Sequence, residues 1–156
     1  MINDRKYTPK DYEDAKQILS LMLKKYPLLN PSGWADKKYY NGCIFAKGSY
    51  EAHRQSLVKL QEEFLIAYDW LKGIPVGSEK DELISSYVLK DIAEKNMRHY
   101  ISNGIFIAAA IHKGFAYKLP KKGDQNLHFM INRKTVNKRK EEADRYINPL
   151  LPLSLI

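Results

Sequence analysis

Residues 99–115 read HYISNGIFIAAAIHKGF, and the reading of this stretch decides the fold. Ser102 or Asn103 can cap a helix here, and Gly114 can end it. Between them Gly104, Ile105, Phe106, Ile107, Ala108, Ala109, Ala110 and Ile111 carry no polar side chain. Only Ser102 and Asn103 at the start, and His112 and Lys113 at the end, can hydrogen-bond through their side chains. Each larger apolar side chain gains about 1.5–3 kcal/mol by leaving water. The spacing therefore predicts a core helix with polar ends. Ala108–Ala110 would also let a second helix approach closely, as in a dimer interface.

Working upstream, VLKDIAEK belongs to a helix opened by Ser78 or by Ser85/Ser86 and running through Leu89, Ile92 and Ala93 to about Met97. IPVG at 74–77 is expected to be a short strand. Before it, Leu57, Leu60, Phe64, Tyr68 and Leu71 fall three and four apart, which predicts one long helix from Ser49 to Gly73. Thr8-Pro9-Lys10-Asp11 has the residues of a capped helix start, followed by the stripe Tyr12, Ala15, Ile18, Leu19, Met22 and Tyr26. Residues 27–48 form an irregular connector with a candidate strand at Cys43–Ala46.

Downstream, FAYKL (115–119) and NLHFMIN (126–132) alternate at period two around PKKGDQ, a turn sequence, and predict a β-hairpin with lysines at its tip. A helix follows from Asn137, with Glu141 and Arg145 at i, i+4 spacing. The tail INPLLPLSLI is interrupted by Pro149 and Pro152, so it packs back or meets a partner. The fold class expected is α+β, mostly helical with a C-terminal β-hairpin. It is a single domain, 1–156, with an arm and connector (1–48), a core (49–132) and a basic, apolar tail (133–156).

From Ser49 onward the order is helix, short extended piece, helix, tight turn, helix, strand, charged loop, strand. VLKDIAEK, SNGIFIAAAIHKGF and FAYKLPKKGDQNLHFMI carry that order, which resembles a winged helix-turn-helix domain over residues 49–132. The block SSYVLKDIAEK with YISNGIFIAAAIHKGF is also similar to small proteins of bacterial mobile elements. The resemblance implies binding to nucleic acid, duplex DNA in the first instance, in a regulatory or accessory role. In that class the second helix offers polar side chains to base edges in the major groove. Here it cannot, so the resemblance implies contacts to phosphate by Ser102, Asn103 and the helix N-terminus.

Charge points the same way. The net charge is +8, and Lys113–Lys140 holds nine of the 26 basic residues but only one of the 18 acids, Asp124. The rest of the chain cancels. Lys113, Lys118, Lys121, Lys122, Arg133, Lys134, Lys138, Arg139 and Lys140 are thus the candidate phosphate contacts. About 5–8 neutralised phosphates would give a log–log salt slope of about −4 to −7. Neutralising Lys121, Lys122, Arg139 and Lys140 is expected to weaken binding well over tenfold without unfolding the chain. The alternative reading is a protein-interaction module whose basic end docks on an acidic partner, with a homodimer as one form of it.

Other chemistry finds little support. His53, His99, His112 and His128 lack metal-ligand spacing, and no metal or cofactor is expected. GIPVGSEK lacks the spacing of a phosphate loop. Carboxylates such as Asp11, Glu13 and Asp14 fall on helix surfaces. A third reading, an enzyme site built from Arg98, His99 and the connector, has no nucleophile paired with His99. Tyr39 and Tyr40 after Lys37-Lys38 form one compact aromatic and basic cluster of the kind that stacks on bases. A single cysteine, Cys43, suits a reducing compartment. There is no apolar run of membrane-spanning length, so the expected location is the cytoplasm, with no membrane partner.

Overall fold

The computed structural model describes residues 6–35, 49–121 and 123–147. The expected strand at 43–46, Cys43, the pair Tyr39–Tyr40, Lys122 and the tail from 148 onward lie outside the described residues. Helix α1 spans Pro9–Lys25. Thr8 Oγ1 accepts the Asp11 N–H at 3.1 Å and the Asp11 carboxylate accepts the Thr8 N–H at 2.9 Å, a reciprocal cap that satisfies two backbone donors. Ala15, Leu19, Met22 and Leu23 are its buried stripe. Beyond Pro27, β1 (Leu29–Asn30) and β2 (Gly33–Trp34) pair antiparallel as a very short hairpin.

The long helix expected from Ser49 is broken. It consists of α2 (Ser49–Gln55), a 3-10 turn (Ser56–Lys59) and α3 (Gln61–Leu71). Arg54, buried on α2, gives a physical reason. Its Nη2 donates to Leu23 O at 2.7 Å and Tyr26 O at 3.1 Å, and its Nε donates to Leu29 O at 3.0 Å. These carbonyls at the end of α1 and in β1 need donors, and Arg54 draws α2 across them. Meanwhile α3 buries Phe64, Ile66, Ala67, Trp70 and Leu71 in the core. One straight helix cannot meet both demands. Arg54→Met should lower the unfolding free energy by about 2–3 kcal/mol, because charge-assisted bonds are lost and buried carbonyls are left bare. Urea titration measures this, and a loss near zero would remove Arg54 from the account.

IPVG at 74–77 is not a strand; Ile74 is buried between turns. The strand lies later, at β3 (Asp81–Ser85), and Ser85 then caps α4 (Ser86–Met97) by accepting the Tyr87 N–H at 3.3 Å. Next come α5 (Asn103–Lys113), β4 (Tyr117–Lys118), β5 (His128–Asn132) and α6 (Arg133–Ile147). The sheet is antiparallel in the order β3-β5-β4, with Asp81 opposite Asn132, Ser85 opposite His128, and Lys118 opposite His128. The predicted hairpin is therefore present as β4 and β5, but it is not C-terminal. Helix α6 follows and packs on α4. It starts four residues before Asn137, where Asn132 Oδ1 accepts the Thr135 N–H at 2.9 Å.

Asn103 through Ala110 are all buried, so α5 is core, as its composition predicts. The helix that approaches it closely is α3 of the same chain. Ala108, Ala109 and Ala110 are enclosed within the chain's own interior. That corrects the expectation of a dimer face there. A series of ring contacts joins core and arm: Trp70–Phe106 at 5.9 Å, Phe106–Phe129 at 6.3 Å, Phe129–Tyr117 at 5.9 Å, Tyr117–Trp34 at 6.3 Å and Trp34–Tyr26 at 5.5 Å.

Candidate nucleic-acid interface

The start of α5 is closed by the chain itself. The Gly104 N–H donates to Pro31 O at 3.0 Å. Asn103 donates to Ser32 O at 3.2 Å and Asn126 Oδ1 at 2.8 Å, and accepts from Ser86 Oγ at 2.9 Å. Ser102 donates both its N–H and its hydroxyl to Glu63 Oε1, at 2.8 and 2.5 Å. A helix N-terminus attracts an anion, and here the anion is a carboxylate from α3. Ser102 and Asn103 are buried and engaged within the fold, which corrects their assignment to phosphate contact. No sequence pattern links Glu63 to Ser102, because the pair meets only through packing of α3 on α5.

The basic residues divide into two groups. Arg139 donates to Trp70 O and to Lys72 O, the latter at 3.1 Å, and its guanidinium lies 5.0 Å from the Trp70 ring centre. Burial pushes its pKa down from the ordinary arginine value. Its backbone carbonyl also accepts from Asn96, whose Oδ1 holds the Trp70 indole N–H at 2.8 Å. Arg139 is thus part of the packing between α6 and α3, and neutralising it would disturb the fold. Arg133 pairs with Glu82 at 2.9 Å. Lys134 and Lys138 share an open groove with Glu79, Asp81, Glu82 and Glu141. The acids of β3 therefore offset the start of α6, although they are some 50 residues away in sequence.

Lys118 and Lys121 are exposed, and neither makes an ion pair among the described residues. Lys118, His128 and Ser85 stand opposite one another on neighbouring strands, about 4.8 Å apart per strand. The Ser86 N–H donates to Leu127 O at 2.8 Å. Leu127, the last residue before β5, thus lies beside the start of α4. Lys140 is exposed and lines a small cleft between α4 and α6 with Tyr87, Asp91 and Asp144, where Asp91 pairs with Lys95 at 3.0 Å. Lys113 is half-buried, 5.6 Å from the Tyr68 ring centre.

Two exposed tyrosines lie on and just after α4. Tyr87 is 55% exposed and Tyr100 is 66% exposed. The Lys90 ammonium lies 4.9 Å from the first ring centre and 5.5 Å from the second, and pairs with Glu94 at 3.1 Å. Sequence reasoning passes over both rings: Tyr87 lies off the buried stripe of α4, and Tyr100 sits in a turn.

Among the described residues His99 is not paired with a nucleophile. Its Nδ1 lies 2.8 Å from Tyr100 O and its Nε2 4.0 Å from Glu62. Ser32 Oγ lies 3.2 Å from His53 Nε2, and burial pushes the His53 pKa down. Burial, with Tyr26 beside it, pushes the Tyr117 phenol up. Among the described residues no group of His, Cys, Asp and Glu is arranged to hold a metal ion, and no helix is long and apolar enough to cross a membrane. Comparison with protein-family models, curated proteins and solved structures gave no match.

Proposed function

We propose that this protein binds nucleic acid through phosphate contacts, using a winged helix-turn-helix-like core as scaffold and no helix that reads base edges. The observation that carries this reading is the position of Lys118 and Lys121. Both stand exposed, Lys118 on β4 in line with Ser85 at the start of α4 and Lys121 in the loop that follows β4, and neither lines the groove whose acids offset α6. The order α3, β3, α4, α5, β4, β5 with the sheet sequence β3-β5-β4 supports the winged arrangement, in which the β4–β5 loop is the wing. In this reading Ser102, Asn103, Arg133 and Arg139 hold the scaffold, while Lys118, Lys121 and Lys140 meet phosphate. The setting is the reducing cytoplasm, and the role accessory or regulatory.

Lys118→Ala/Lys121→Ala is expected to weaken binding to a labelled random-sequence duplex about tenfold at moderate salt. With about 3–4 phosphates neutralised, the log–log salt slope should be about −3 for duplex, shallower than the full count of basic residues suggests. Fluorescence anisotropy at several salt concentrations measures both. Unchanged binding by the double variant would overturn this surface. The second reading, docking on an acidic protein, uses the same lysines and is favoured if no nucleic acid binds at low salt.

A further inference from the structure

We infer that the ligand of this face is single-stranded nucleic acid, with bases stacked on Tyr87 and Tyr100 while Lys118, Lys121 and Lys140 track the backbone. The inference rests on the phosphate-binding reading above and names its substrate class. A duplex hides its base faces in its own stack, and a protein gains sequence contacts there only by entering a groove. The element in the position to do so is α5, and its start is sealed by Pro31, Ser32 and Glu63. Duplex would therefore gain only the phosphate term.

A single strand offers what this surface can use. Tyr87 and Tyr100 are mostly exposed although each ring is large and apolar, so the fold gains little from them. They are braced nonetheless. The Lys90 side chain is buried between them, its ammonium held by Glu94. Glu94 in turn accepts the Ile101 N–H at 3.0 Å, fixing the turn that carries Tyr100. Each ring thus has a cation beside it while its residue stays more than half exposed, and a braced ring loses little freedom when a base stacks on it. Stacking on an aromatic side chain tolerates any base, consistent with a fold that closes the start of α5. Tyr87 is two residues from Ser85, which stands in line with His128 and Lys118. Lys140 lines the α4–α6 cleft together with Tyr87. Among the described residues Lys118 is therefore the cation without an acid partner on the sheet side of the platform, and on the α6 side Lys140 shares its cleft with Asp91 and Asp144.

The test uses the full chain and two labelled probes at one salt concentration: oligo-dT of about 15 nucleotides, near the upper site size of such surfaces, and a duplex hairpin with the same number of phosphates. The wild type is expected to hold the single strand at least tenfold more tightly. Tyr87→Leu and Tyr100→Leu should each lose about fivefold to tenfold on oligo-dT and leave duplex affinity unchanged. Lys118→Ala/Lys121→Ala should weaken both probes. Circular dichroism and the urea midpoint check that the leucine variants keep their fold; Tyr87→Phe, which retains the ring, should restore binding to oligo-dT. Equal affinity for the two probes, or equal losses on both from the tyrosine variants, would overturn the stacking inference and leave phosphate binding standing. Absence of binding to either probe at low salt would overturn phosphate binding as well.

Discussion

Gly104→Ala is expected to destabilise the protein by about 3 kcal/mol, the upper part of the range for overpacking. In an ordinary helix interior the same change is favourable by about 1 kcal/mol, so the sign itself is informative. A Cβ on Gly104 would stand 1.8 Å from Asn30 O, 2.7 Å from Asn30 C and 3.0 Å from Pro31 Cα. Those are backbone atoms, and no rotamer change removes them. The arm would have to lift off α5, breaking the Gly104–Pro31 bond and the Asn103–Ser32 bond. Trp34, packed on Tyr26 and Tyr117, would then become exposed. A red-shifted tryptophan emission together with a lower urea midpoint is the expected result. A stabilised variant would mean that the arm does not sit on α5.

The second large effect is expected at Phe106, where substitution by alanine should cost about 3–5 kcal/mol. The residue is fully buried and meets Trp70 and Phe129 edge-on. Total stabilities of single domains are about 5–15 kcal/mol, so the variant would lose a large part of its margin. Denaturant unfolding at constant slope measures the change. A cost below about 1 kcal/mol, usual for surface sites, would place Phe106 outside the core and reopen α5 as a groove-facing helix. Ile107→Ala would serve as the companion if Phe106→Ala does not fold.

Much of the local structure is legible in the residues themselves. Thr8 and Asp11 announce a cap that forms as written. Gly114 ends α5 in a left-handed conformation, φ +106°, which glycine adopts without a Cβ penalty. The β4–β5 pair follows from alternation. β3 is harder to see because it is a five-residue edge strand with only Ile84 buried; it exists through pairing with β5, not through its own pattern. The break at Ser56–Lys59 is hidden for a related reason. Apolar spacing records that a face is buried but not that the chain changes direction to bury it.

The candidate site divides in the same way. Lys118 and Lys121 can be picked out from charge alone, but Arg139 cannot be separated from them, because its partners Trp70 and Lys72 lie on a distant segment. The sequence by itself determined the ends of most helices, the buried character of α5 and the concentration of basic residues beyond Lys113. Tertiary structure alone decided what covers α5, which cations stay free, and which tyrosines face water. The physical reason is range. Capping, helix periodicity and turn conformation act over a few residues, whereas Glu63 meets Ser102, Glu82 meets Arg133 and Pro31 meets Gly104 only after the chain has folded.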